Sequence, residues 1–235
     1  MALVIFDLRG SLGHFRRPDT MGTQATYPFI TRTAARGLIA SVLGLEALPE
    51  GGRCGIRLLA PVRTVAQELS MHGKSWVSGG DQKSFLRPTA VELVVKPHYR
   101  LYYRGPLSAE LEERLRSQQT HYHTYLGSAY CLTFPRWVAS VARPEHREPE
   151  PGSELTCVSV VPSPAVKRLL PEPGRQYARV GGLLMHYLGN RSFRGSVAVL
   201  YEVSGAALRF EPVGLGPDSF WEFVTVPHEG VVCLW

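Results

Sequence analysis

Three groupings of residues in this sequence have the types and spacing for proton-transfer chemistry: His14 with Arg16 and Arg17, Lys96 with His98, and His121 with His123. Metal-free RNA cleavage needs little more than such a set. An imidazole takes the 2′-hydroxyl proton, and a Lys or Arg stabilises the charge on the phosphorane. Residues of these types occur in any basic chain, so a structural or binding role for the histidines is the expected one, and no catalytic residue is assigned. His121 and His123 would share one side of a strand, as two metal ligands do. Neither a Cys nor a carboxylate stands with them, so no metal site is expected. The Gly10–Gly13 stretch lacks the Gly-Lys-Ser/Thr ending of a P-loop. No Gly-x-Ser-x-Gly elbow is present, and nothing in the sequence calls for a cofactor.

The charge distribution points to binding. Residues 1–104 hold fourteen Lys and Arg against seven Asp and Glu, a surplus of +7. Residues 105–235 hold twelve against thirteen, so the whole formal net charge of +6 resides in the first half. Only four of the 26 cations are lysines, and the planar fork of arginine suits bidentate phosphate contacts and stacking on bases. A high-GC coding sequence would give the same arginine bias, but not its one-sided placement. Aromatics that stack bases and cations that track phosphates make up single-strand RNA sites. The candidate RNA-binding set is Gly10, Gly13, His14, Arg16 and Arg17 in the first loop, and Tyr27, Arg32 and Arg36 at the helix that follows. Arg63, His72, Lys74, Trp76, Lys83 and Arg87 around a glycine-rich excursion, and Tyr125 further on, complete it.

The elements that must position these residues can be read from patterning. Leu3 to Leu8 is a strand. Thr31 or Thr33 caps a helix whose Leu38, Ile39, Val42 and Leu43 form an apolar stripe, closing on Gly44. A second strand is expected over 55–64, a long polar excursion over 66–86, and a third strand over 89–103 interrupted at Pro97. Ser108 is expected to cap a helix over 109–119, and a fourth strand to run from about Tyr130 to Val141. The order βαβ–βαβ predicts an α+β, ferredoxin-like domain over 1–142. The charged, Pro-rich stretch 143–153 reads as a linker to a small β-rich region over 154–235, with strands over 154–161, 196–203 and 230–235. Residues 177–188 fit a helix or a Gly-broken strand. The scattered Cys54, Cys131, Cys157 and Cys233 suggest reduced, mostly buried thiols. No apolar run nears the ~18 residues of a membrane span, and the first strand carries Asp7, unlike a secretory signal, so a cytoplasmic protein without membrane contact is expected.

Several stretches resemble the CRISPR-associated Cas-five family. Gly13-His-Phe-Arg-Arg17, Tyr27-Pro28-Phe29 and Arg36-Gly-Leu-Ile-Ala-Ser-Val-Leu-Gly44 resemble its opening. Further matches are Arg87 to Tyr102, His123-Thr-Tyr-Leu-Gly-Ser128 and Val199-Leu-Tyr-Glu-Val-Ser-Gly205. The resemblance implies a modified RRM domain with a long β-hairpin thumb at about 66–86. It also implies a role in the type I effector complex (Cascade): gripping the 5′ handle of crRNA and capping the backbone, beside the backbone subunit and the large subunit. Target DNA would be contacted only indirectly, through guide pairing. One branch of the family, in type I-C systems, cleaves precursor RNA with Tyr, Lys and His, which are not placed on this sequence. Ile30-Thr31-Arg32 departs from the second Pro of many relatives. The match is closest to type I-B-like members, which implies a non-catalytic RNA-binding subunit. The alternative is a metal-independent endoribonuclease that processes pre-crRNA.

Overall fold

The computed structural model describes residues 1–20, 22–72, 86–150, 152–216 and 219–235, with His72 and Arg87 described by backbone alone. β1 (Leu3–Arg9) and the two-residue β2 (Leu12–Gly13) precede α1 (Arg32–Leu43). Then come β3 (Arg53–Leu58), β4 (Thr64–His72), β5 (Leu86–Val95) and β6 (His98–Arg104), followed by α2 (Ser108–Arg116) and β7 (Arg136–Val141). Four of these strands form an antiparallel sheet in the order β3-β6-β1-β7. The run Leu-Val-Ile-Phe is apolar without alternation because β1 is central and both its faces are covered. Val4, Phe6 and Leu8 pack with Leu38 and Ile39 of α1 and Leu111 and Leu115 of α2. Leu3 and Ile5 point the other way, onto Val224, Val232 and Leu234 near the end of the chain. Each such side chain removed from water contributes about 1.5–3 kcal/mol.

Local chemistry sets the ends of α1. The Thr31 hydroxyl accepts from the Ala34 amide at 3.2 Å, a cap worth about 1 kcal/mol. Gly44 takes the left-handed conformation at φ 78°, and a Cβ there would lie 2.6 Å from the His121 ring, so glycine is required twice over. α2 departs from expectation. Ser108 is its first residue, not its cap, and the buried hydroxyl closes a turn on the amide and carbonyl of Gly105 at 3.1 and 2.7 Å.

The expected 66–86 excursion has ladder structure at both its edges. β4 pairs with β5 in one register from Thr64↔Val94 to His72↔Leu86, and residues 73–85 lie outside the described residues. The single strand expected over 89–103 is two, because the chain turns at Lys96 (φ 47°) and Pro97. The fourth strand begins at Arg136 instead of Tyr130, since 124–133 is a separate small hairpin bridged at Tyr125↔Leu132.

The remaining strands are β8 (Glu145–His146), β9 (Leu155–Cys157), β10 (Val161–Pro162) and β11 (Val166–Leu169), then β12 (Tyr177–Gly189) and β13 (Ser192–Glu202). β14 (Leu208–Pro212), β15 (Glu222–Val226) and β16 (Gly230–Leu234) follow. They form a six-stranded sheet, β11-β14-β9-β16-β15-β8, and a three-stranded one, β10-β13-β12. Residues 177–188 are therefore strand. The pattern is hard to read because the register shifts between Val180 and Leu183, with Gly182 at φ 73°.

The C-terminal strands are bound to the first sheet. Cys54 and Trp235 exchange backbone hydrogen bonds, both at 3.0 Å. Arg100 donates two hydrogen bonds to Asp7 (2.7 and 2.8 Å) and one to Glu229 (2.9 Å), which also accepts from the Tyr102 hydroxyl. All four cysteines are buried and free. Among the described residues, no helix is long and apolar enough to cross a membrane.

Candidate nucleic-acid interface

The loop after β1 is ordered by its own backbone. Tyr27 N donates to Phe15 O at 2.8 Å, Arg17 N to Ala25 O at 2.9 Å, and Phe15 N to the Thr26 hydroxyl at 2.8 Å. This pairing delivers residues 14–18 to the first turn of α1. Across from them stands the β12–β13 hairpin. A cleft of about 840 Å³ lies between, lined by His14, Phe15, Arg16, Arg36 and Arg53, the start of α1, and Met185, His186, Tyr187 and Phe193.

The start of α1 presents the positive end of its dipole here, and its first turn carries no acidic residue. Thr31 satisfies the Ala34 and Ala35 amides, so the Arg32 and Thr33 amides are the ones left without an intrahelical acceptor. His14 is only 4% exposed. Its Nδ1 lies 2.8 Å from the Glu92 carbonyl, which can only accept, so Nδ1 carries a proton. Nε2 is buried and has no hydrogen-bond partner among the described residues. Tyr187 and Phe193 are 45% and 38% exposed, with ring centroids 5.4 Å apart. Burial lowers the pKa of His186, and the nearby Arg32 and Arg194 add to that. Glu46 and Glu50 stand exposed at the rim.

The sequence-predicted residues divide sharply. Arg16 is exposed beside the cleft and donates to Thr20 O at 2.9 Å. Arg17 pairs with Asp19 at 2.6 Å, and its guanidinium sits 5.8 Å from the Tyr27 ring centre. Arg32 is corrected from a phosphate contact to an internal tie. It is buried and donates to the carbonyls of Trp235 (2.8 Å), Met185 (2.5 Å) and Gly52 (3.4 Å), and burial lowers its pKa. Arg36 likewise donates to Gly52 O (3.0 Å), Leu48 O (3.2 Å) and Pro49 O (2.7 Å), although it still borders the cleft. Tyr27 is buried, with its hydroxyl on Gly182 O, so its ring does not stand free for stacking.

Gly10 and Gly13 are also corrected. Their open sides meet protein: a Cβ on Gly10 would lie 2.8 Å from Leu126 Cδ1, and Gly13 is buried against Phe15 and Leu126. Arg63 is exposed at the start of β4, and Tyr125 is exposed on the 124–133 hairpin. His72 and Arg87 fall at the far end of the β4–β5 ladder, while Lys74, Trp76 and Lys83 lie outside the described residues. Of the proton-transfer groupings, only His14 with Arg16 borders the cleft. Among the described residues, no group of three or more His, Cys, Asp and Glu could hold a metal ion.

Arg53, His186, Tyr187 and Phe193 were not anticipated. The last three sit on β12 and β13, where glycines obscure the strand period. Buried Leu183 and Met185 alternate with Leu184 and His186, but the alternation breaks at exposed Tyr187, where the register shifts before Gly189, so no period in the sequence pointed to these side chains.

Fold and cleft together define an α+β protein with a cleft bordered by arginines and aromatic rings. A family model described as CRISPR-associated protein (Cas_Cas5) matches residues 3–160, and the chain belongs to that family. No curated protein matches the sequence. Among solved structures, a chain described as a CRISPR RNA-guided surveillance complex shares 15% identity at a TM-score of 0.53. The match covers 92% of this chain and 95% of that one. A CRISPR protein from Archaeoglobus fulgidus shares 11% identity at a TM-score of 0.55, over 99% of both chains. These two likenesses are of fold.

Proposed function

We propose that this chain is the RNA-binding subunit of a type I CRISPR effector complex, that it grips the 5′ handle of crRNA, and that it does no catalysis. The observation that carries this reading is the cleft at the start of α1. Helix amides and Arg16 favour a phosphate there, Arg53 at the border being paired with Glu222 at 3.1 Å, and Tyr187 and Phe193 offer ring faces to a base. Membership of a CRISPR-associated family supports the role, as does a fold neighbour from an RNA-guided surveillance complex. The strand order β3-β6-β1-β7 with two helices supports a ferredoxin-like, RRM-type core, and the β4–β5 ladder supports a thumb at its side. Backbone and large subunits are the protein partners of this reading. Affinity for single-stranded handle RNA should fall with salt, with a slope of about −0.7 per phosphate contact. Binding that ignores salt, or no binding, overturns it.

One observation favours a second reading, a metal-independent endoribonuclease. His14, whose Nε2 has no hydrogen-bond partner among the described residues, lines the cleft together with Arg16, a pairing that a proton acceptor would use. Incubation with precursor RNA in EDTA separates the two: intact RNA supports the binding subunit, and site-specific products support the nuclease.

A further inference from the structure

The 124–133 hairpin carries a feature the cleft does not use. Leu126 N donates to Cys131 O at 2.8 Å and Thr133 N to Thr124 O at 3.1 Å, so the two limbs pair and side chains alternate in and out. Thr124, Leu126, Cys131 and Thr133 point inward and are at most 3% exposed. Outward stand Tyr125, Tyr130, Leu132 and Phe134, at 47%, 56%, 52% and 69% exposed. Tyr125 faces Leu132 across the bridge, which puts these four on one face. Large apolar side chains gathered on an exposed face mark an interaction site more often than chance exposure.

Charge identifies the partner. Residues 117–144 contain Arg136, Arg143, His121 and His123, and no Asp or Glu, while Arg116 just before them is taken up by Glu112 at 2.7 Å and the ring of Trp137. A protein-docking face would ordinarily intersperse both signs, whereas aromatic rings in a carboxylate-free, arginine-bearing stretch suit a polyanion with exposed bases. The face also continues from the cleft. His14 N donates to Leu126 O at 2.9 Å, and Gly127 of the same hairpin lines the cleft. Outward residues along one limb recur roughly every 6.6 Å, the scale of one extended nucleotide.

We propose that Tyr125, Tyr130 and Phe134 form a stacking platform for unpaired bases of a single strand leaving the cleft. This rests on the RNA-binding reading above and extends the site beyond it. Stacking is indifferent to sequence, so the platform takes any single-stranded RNA segment.

The test uses the full chain and a fluorescein-labelled 12-nucleotide single-stranded RNA, with anisotropy read over a range of salt. Tyr130→Ser/Phe134→Ser should bind at least ten-fold more weakly with an unchanged salt slope, because stacking but no charge is lost. The exchange Tyr130→Phe/Phe134→Tyr, which keeps both ring faces, should restore the affinity. If the Ser variant binds like wild type while Arg16→Ala binds more weakly, the platform is refuted and the cleft stands. If wild type binds no RNA, both fall. If the Ser variant binds RNA normally but no longer co-purifies with the other complex subunits, the face docks protein and the platform is refuted.

Discussion

The guanidinium of Arg32, on the first turn of α1, donates a 2.8 Å hydrogen bond to the carbonyl of Trp235, 203 residues further along the chain. The same group reaches Met185 O on β12 and Gly52 O before β3. One side chain therefore joins the N-terminal helix to three separate segments, including the strand that forms the opposite wall of the cleft. Arg32→Ala would remove the side-chain donor to Met185 O, while Gly52 O and Trp235 O would each lose one donor and keep another, Arg36 and the Cys54 amide. A buried carbonyl left without a donor costs about 1–3 kcal/mol. The expected loss is about 3 kcal/mol in urea denaturation. Lysine has no planar fork, so Arg32→Lys should recover less than half of it. A fully stable Ala variant would show that the tie is dispensable.

Arg16 and Arg17 are neighbours in sequence but differ in availability. Arg17 is bound to Asp19, which raises its pKa and lowers that of the carboxylate, while Arg16 reaches only a loop carbonyl. Arg16→Ala should weaken handle-RNA binding more than Arg17→Ala and reduce the salt slope by about 0.7. The change Glu112→Ala/Glu113→Ala on α2, away from the cleft, serves as the comparison and should leave binding within two-fold. Equal effects of all three would place the RNA elsewhere.

Gly127 couples the hairpin to the basic loop. It sits at φ 86°, and a Cβ there would fall 2.0 Å from the His14 carbonyl oxygen. Backbone cannot yield as a flexible side chain can, so Gly127→Ala should cost at least about 2 kcal/mol and displace residues 13–15. Lower thermal stability together with weaker RNA binding is the expected pair. Gly174, also at positive φ (76°), has nothing within 4 Å and is the control for backbone strain alone.

Glu202 makes the stability depend on acid. Burial acts to raise its pKa, but hydrogen bonds from the Ser204 hydroxyl and the Ala206, Gln176 and Ser204 amides outweigh it and hold the carboxyl below its usual range. A depressed carboxylate contributes stability that is fully present above the unfolded value of about 4.3 and lost as pH falls through the folded one. Glu202→Gln should cost about 2 kcal/mol at pH 7, from weakened charge-assisted bonds, and should flatten the decline below pH 5. Parallel pH–stability curves for variant and wild type would exclude this role.

The local elements of the first half were legible in the residues. The unbroken apolar run of β1, the Thr31 cap and the Gly44 stop each act over a few neighbours, and the structure places them within a residue or two of expectation. The family was legible too, because its motifs are local strings. The family match over residues 3–160 agrees with the sequence resemblance.

Which arginines stand at the surface was decided only by the tertiary structure. Arg16, Arg32 and Arg36 look alike as letters, yet two are bound to carbonyls supplied by Leu48, Pro49, Gly52, Met185 and Trp235. A guanidinium's role depends on which acceptors the distant chain brings to it, and no local pattern encodes that. Gly10 shows the same limit. It invites a phosphate in sequence, but in space its open side is filled by Leu126. By itself the sequence determined the family, the lopsided charge and the central strand and helix. Only the packing of a hairpin more than a hundred residues away decided that the cleft exists and which side chains remain to line it.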